Sequence, residues 1–112
     1  MSAKVNLERI SVTIATASVA QKISSEPIKT PKFEVHVPNG STGPFYIGDS
    51  DVDDTWIPLG KATAAGNEDG TYLFSASDEG FTHGDFFDLS EMYIMSATAS
   101  DAAIVQYWNI ES

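Results

Sequence analysis

The chain has 112 residues, no cysteine and a formal charge of -10, from sixteen acidic and six basic side chains. That length suits one domain with a core of its own, held by apolar packing and hydrogen bonds without disulfides or a thiolate metal site. The acidity argues against nucleic acid and anionic membranes as partners, because both are recognised through clustered Lys and Arg.

The aromatic content, and the lack of long charge blocks, argue for a folded chain over a disordered one. No stretch approaches the roughly 18 apolar residues of a membrane span. The first nine residues lack the apolar segment of a secretion leader. The expectation is a protein made soluble in the cytoplasm.

Glycine and proline interrupt the sequence roughly every eight to twelve residues, and the segments between are rich in Val, Ile, Thr, Tyr and Phe, the signature of an all-β sandwich or barrel. Residues 1–9 carry little core-forming sequence and are expected as an extended arm, leaving 10–112 as the sandwich. The first strand is expected at 10–15, with Ile10, Val12 and Ile14 on one face. Residues 19–23 are expected to pair with it across Thr16, Ala17 and Ser18. Residues 33–37 show the cleanest alternation, apolar at Phe33, Val35 and Val37.

Asn39-Gly40 suits a tight hairpin turn, and residues 44–48 return as the next strand. Trp56-Ile57-Pro58-Leu59 is limited to an edge strand or an extended loop, because Pro58 has no N–H to donate. A turn at 66–70 leads to a strand at 71–76. Residues 77–88 form the longest loop, and loops of that length usually serve function or pack on a partner. Strands at 91–97 and 104–110 close the chain, and the near-continuous apolarity of the last one suggests burial on both faces. About eight short strands result.

Asp49, Asp51 and Asp53 begin like a calcium loop. An EF-hand then needs glycine at the sixth position and glutamate at the twelfth, where this chain has Asp54 and Gly60. A different calcium site on the three aspartates is the minor alternative to a solvated corner whose carboxylates cap turn amides. His36 is expected as an exposed or cross-strand residue, and His83 as a loop residue near Asp85 and Asp88. No nucleophile motif, phosphate loop, dinucleotide fingerprint or His-Glu zinc motif accompanies them. No catalytic residue and no cofactor are assigned, and an enzyme is not expected.

Phe81, Phe86 and Phe87 could plug the core or form an exposed patch that docks a neighbour. Trp56, Tyr46 and Tyr72 could stack on sugar rings, although burial is commoner for large aromatics in a small domain.

Residues 45–52 (Phe-Tyr-Ile-Gly-Asp-Ser-Asp-Val), followed by Ile57-Pro58-Leu59, resemble the V-Y-(V/I)-G-D-S-x-V … G-(I/V)-x-L stretch of small virion-associated proteins of tailed bacteriophages. Residues 88–94 (Asp-Leu-Ser-Glu-Met-Tyr-Ile) are similar to their D-L-S-x-(I/L)-Y-V segment. Residues 103–108 are similar to their last strand, and residues 10–23 to their opening. Trp56 replaces the usual glycine before Ile57, and the segment from Phe81 to Phe87 is additional.

The resemblance implies a small β-sandwich, jelly-roll or immunoglobulin-like, acting as a capsid decoration or cement subunit on the outer surface of the head. The implied partners are the major capsid protein and further copies of the chain, expected as trimers whose weak contacts are multiplied by avidity. Val5, Leu7, Phe81, Phe86 and Phe87 are the expected interface residues. The alternatives are a tail or fibre component, which the charge does not separate from a head protein, and a calcium-assisted carbohydrate-binding module.

Overall fold

The computed structural model describes residues 4–64, 69–75 and 86–111, and every regular element among them is a β-strand. In chain order these are β1 (Lys4–Thr13), β2 (Gln21–Lys22), β3 (Lys29–Thr30), β4 (Lys32–His36), β5 (Phe45–Gly48), β6 (Thr71–Ser75), β7 (Phe87–Asp88), β8 (Tyr93–Ser96) and β9 (Ala102–Glu111). All their pairings are antiparallel. The larger sheet runs β1-β9-β4-β6, the smaller one β2-β8-β5, and β3 and β7 form a two-stranded ladder. The all-β class expected from the turn spacing is present, with nine strands among the described residues instead of about eight.

Period-2 patterning sets the interior. In β4, Phe33 and Val35 are fully buried while Lys32, Glu34 and His36 are half-exposed. The neighbouring β9 sends Ala103, Val105 and Tyr107 to the same side, and β1 adds Val12 opposite Ala103. Phe45 and Ile94 face them from the smaller sheet, and Ile14, Ile23, Val37 and Leu89 complete the cluster. Each large apolar side chain buried in this way contributes about 1.5–3 kcal/mol, so this layer outweighs any single polar contact.

One polar clamp joins the sheets. The chain crosses from β4 to β5 through residues 37–44, and the buried Asp101 carboxylate accepts the amides of Thr42 (2.9 Å) and Gly43 (2.8 Å). Beside it the Ser41 hydroxyl donates to the carbonyl of Ala102 at 2.6 Å.

The structure differs from the sequence reading in three places. Residues 4–9, expected as an arm, are strand, paired residue for residue with β9 from Lys4 opposite Glu111 to Arg9 opposite Gln106. β4 reaches β9 only between His36 opposite Ile104 and Phe33 opposite Tyr107, so the ladder of β9 beyond that point is with β1 alone. Neither expected hairpin forms: β2 pairs with β8, and β5 also pairs with β8, although the Ser41 amide does donate to the Pro38 carbonyl across a turn at 38–41. Finally, β9 is buried on one face only, since Ala102, Ile104, Gln106 and Trp108 are half-buried. The expected turn around Asn67, the residues 76–85 with Phe81 and His83, and Met1 to Ala3 lie outside the described residues.

Candidate docking groove

The corner after β5 is built from two consecutive turns, each opened by an aspartate. The Asp49 carboxylate accepts the Asp51 amide at 2.9 Å while the Val52 amide donates to the Asp49 carbonyl at 3.0 Å. The pattern repeats at Asp53, whose carboxylate accepts the Thr55 amide at 2.9 Å and whose carbonyl accepts the Trp56 amide at 3.2 Å. Short carboxylates hydrogen-bonding two residues ahead are what make aspartate favourable in turns. The hydroxyl of Thr55, and then its amide, hold the Asp53 carboxyl below the ordinary carboxylate range. Between the turns Val52 is buried and anchors the corner.

These contacts bear on the calcium alternative. Asp49, Asp51 and Asp53 are exposed, and two of the three carboxylates already cap amides. No group of three His, Cys, Asp or Glu side chains among the described residues is placed to hold a metal ion. His36 is a cross-strand residue, its Nδ1 lying 2.7 Å from the Thr71 hydroxyl of the facing strand. The Asp88-Leu89-Ser90 segment is a structural turn. The Asp88 carboxylate accepts the Ser90 amide (2.9 Å), the Ser90 hydroxyl (2.7 Å) and the Ile28 amide (3.3 Å), and Leu89 is fully buried.

After the corner the chain turns back along β5. The Phe45 amide donates to the Leu59 carbonyl and the Leu59 amide to the Phe45 carbonyl, both at 2.8 Å. The contact remains an isolated bridge, consistent with a proline at 58 that has no N–H to donate. Gly48 matters here because a Cβ at that position would run into the Trp56 ring. The absence of a side chain lets the indole lie against the β5 backbone.

Ile47, Trp56, Ile57, Pro58 and Leu59 thus form one wall of an apolar groove of about 150 Å³, and Tyr72 and Phe74 of β6 form the other. The β6 wall is backed by the core: Phe74 stacks on Phe33 with centroids 4.7 Å apart, and Tyr72 tilts against Phe74 at 4.8 Å. The groove is open to solvent, with Ile57 87% exposed, Tyr72 54% and Trp56 38%. A second, more polar hollow of about 250 Å³ lies between Ser18, Tyr46, Asp53, Asp54, Met95 and Ala97. Of the three candidate stacking aromatics, then, Trp56 and Tyr72 share a groove and Tyr46 lines the other hollow.

The expected interface residues that the structure describes lie on β1 (Val5 and Leu7), on β7 (Phe87) and just before it (Phe86). Leu7 is 57% exposed on β1 opposite Trp108, whose ring lies 5.4 Å from the Lys32 ammonium. Val5 lies opposite Ile110 in the same register. Phe86 is exposed, with the Lys29 ammonium 5.0 Å from its ring centre. Phe87 instead packs inward, edge-on to Phe33 at 5.2 Å. The exposure of Ile57 (87%) was not read from the sequence, although an isoleucine beside a proline that cannot pair is a readable signal of it.

No family model matches the chain, and no curated protein matches it in sequence. Among solved structures it is similar to a chain described under "Bacillus endospore appendages form a novel family of disulfide-linked pili". The identity is 16% over 96% of this chain and 90% of that one, with a TM-score of 0.38. The disulfides named there have no counterpart in this chain, which has no cysteine.

Proposed function

We propose that this chain is a non-enzymatic structural protein of a tailed-bacteriophage particle, a decoration or cement subunit on the outer surface of the head that bridges major capsid proteins. The observation that carries this reading is the apolar groove on an acidic β-domain, where Ile57, Tyr72 and Trp56 face solvent together. Contiguous apolar surface of this kind is costly in water and marks interaction sites. The segments that resemble phage virion proteins also support it, since two of them are neighbours in the fold. Ile47 and Gly48 of the first lie opposite Ile94 and Tyr93 of the second.

As mechanism, a rigid sandwich covers the joint between capsid proteins with its exposed apolar side chains. Copies around a local symmetry axis, as trimers, multiply weak contacts through avidity. The charge of -10 keeps the subunit on the outside, away from packaged DNA. To test this, heads purified without the protein are mixed with it and imaged. Regular occupancy of the shell is expected, whereas a bare shell with density along the tail would reassign the chain as a tail component.

The exposure of Trp56 and Tyr72 in one groove favours a second reading, a carbohydrate-binding module that stacks sugars on both rings. Glycan-array binding that disappears in Trp56→Ala would replace the scaffold reading with that one.

A further inference from the structure

We propose that Asn39 is a site of spontaneous deamidation, through attack by the Gly40 amide nitrogen, and that the change loosens the polar clamp between the two sheets. Asparagine is a chemically labile residue, and glycine after it has no side chain to obstruct the attack. The Gly40 nitrogen, having lost its proton to base, forms a bond to the Asn39 side-chain carbonyl carbon, Cγ. The bond from Cγ to the side-chain nitrogen breaks, and ammonia leaves with the proton. Water then opens the cyclic imide at one of its two carbonyls. One opening gives aspartate, and the other gives isoaspartate, in which the main chain runs through Cγ. Water is the only co-reactant.

The sequence offers one Asn-Gly pair, Asn39-Gly40, and one Asp-Gly pair, Asp69-Gly70. The fold separates them. Asn39 and Gly40 are both exposed, at the centre of a turn closed by the Ser41 amide on the Pro38 carbonyl at 3.0 Å. Gly70 is instead fixed in a packed backbone. Its φ is +81°, its carbonyl accepts the Val37 amide at 2.8 Å, and a Cβ there would lie 2.5 Å from the Ala62 nitrogen. The Asp69 carboxylate accepts the Thr63 hydroxyl at 2.7 Å. Reaction at Asp69 therefore requires a packed backbone to move, and an ionised carboxylate is also a poorer electrophile than an amide.

The clamp lies directly downstream of Asn39. The Ser41 hydroxyl donates to the Ala102 carbonyl at 2.6 Å, and the buried Asp101 carboxylate accepts the amides of Thr42 and Gly43. Either product places a new carboxylate just upstream of those donors, in a chain that already carries -10. Like charges repel most where burial excludes water. Isoaspartate also adds a methylene to the main chain inside the turn that sets Ser41 against Ala102. The reaction is slow and needs no partner, so it acts as a clock on the age of each copy.

To test this, the full chain is aged in mildly alkaline buffer, cleaved at lysine and arginine, and followed by chromatography with mass spectrometry. Lys32 and Lys61 bracket Asn39, the one asparagine between them, so the fragment 33–61 reports this site alone. It is expected to gain the mass of an amide-to-acid exchange and to split into aspartate and isoaspartate forms, at similar rates in the folded chain and in urea. Isoaspartate at position 69, localised by fragmentation, is expected only in urea. Gly40→Ala is expected to fold and to keep its Asn39 amide, since a Cβ there meets nothing within 4 Å among the described residues and Gly40 takes no left-handed φ. Aged wild type should melt about 4 °C or more below fresh protein, the scale of one weakened clamp bond, while aged Gly40→Ala is unmoved. The proposal is overturned if the fragment keeps its mass in the folded chain and reacts only in urea, or if Gly40→Ala deamidates as fast as wild type. It is also overturned if the folded chain isomerises at Asp69 as fast as it reacts at Asn39, or if aged and fresh protein melt together.

Discussion

Replacing Asp101 by alanine tests the polar clamp between the two sheets. The carboxylate is 8% exposed and receives the amides of Thr42 and Gly43 at 2.8–2.9 Å. A hydrogen bond to a charged group contributes about 1.5–3 kcal/mol net, and an amide left without its partner adds a desolvation cost unless water reaches it. Thr42 is exposed and Gly43 half-exposed, so water recovers part of the loss. The expected cost is therefore about 2–3 kcal/mol, at the scale of one strong bond and not of two. For a domain of this size 1 kcal/mol moves Tm by about 4 °C, which places the variant about 8–12 °C below wild type.

Urea unfolding followed by circular dichroism, with a thermal scan of the same samples, measures both quantities. Asp49→Ala is the control, because its carboxylate caps a single amide in an exposed turn, and it should cost about 0.5–1 kcal/mol or less. If Asp101→Ala is as stable as Asp49→Ala, the crossover is held by chain connectivity and packing, and the clamp argument is wrong.

Gly70→Ala should be more damaging than its size suggests. Gly70 has φ +81°, and a Cβ there would lie 2.5 Å from the Ala62 amide nitrogen and 2.8 Å from the Val37 carbonyl oxygen. A loss of about 2 kcal/mol or more in urea unfolding is expected, and a change under about 0.5 kcal/mol would contradict the geometry. Tyr107 is pushed up to about 12, first by burial and then by its hydrogen bond to Glu8. The unfolded phenol ionises near 10, so its contribution to stability is full below that pH and is lost as pH rises toward 12. The ultraviolet signal missing from Tyr107→Phe should titrate near the higher value, and a midpoint near 10 would refute the buried hydrogen bond.

Asp88 is held below 3.8, chiefly by the Ser90 hydroxyl and then by its amide. What it contributes is present above that value and lost as pH falls through the lower folded pKa. Ser90→Ala should raise the NMR titration midpoint of Asp88, and an unmoved midpoint would refute the assignment.

The strand most legible in the sequence was β4, whose alternation holds one parity, with Phe33 and Val35 inward against polar Glu34 and His36. β6 and β8 also fell within the expected segments, on the unbroken apolar runs Tyr72-Leu73-Phe74 and Tyr93-Ile94-Met95 and not on alternation. β1 was only half legible because its apolar parity changes: Leu7 is odd-numbered, while Ile10 and Val12 are even-numbered. A change of parity reads as the end of a strand. In the fold the strand continues, with Val12 buried and Leu7 exposed opposite Trp108. The same switch explains β9, where Val105 and Tyr107 serve the core and Trp108 answers Leu7, giving an apolar run without burial on both faces.

Partners were less legible than strands. Asn39-Gly40 and the Thr16 to Ser18 link do turn the chain, but both lead into the other sheet, and a turn signal carries no information about which strand comes alongside. The corner was legible as chemistry, since aspartates spaced by two suggest capped amides. The groove was not, because it exists only where residues 56–59 meet β6, a juxtaposition set by the antiparallel β4–β6 pairing.

If, as proposed, this chain docks on a phage head through exposed apolar surface, it should bind heads that lack it. Electron cryomicroscopy of heads purified without the protein, and then incubated with it, measures this. Discrete density repeated on the outer shell is expected, lost or thinned with Ile57→Ser. A shell that stays bare at saturating protein, with the chain unbound or gathered along the tail, would contradict it.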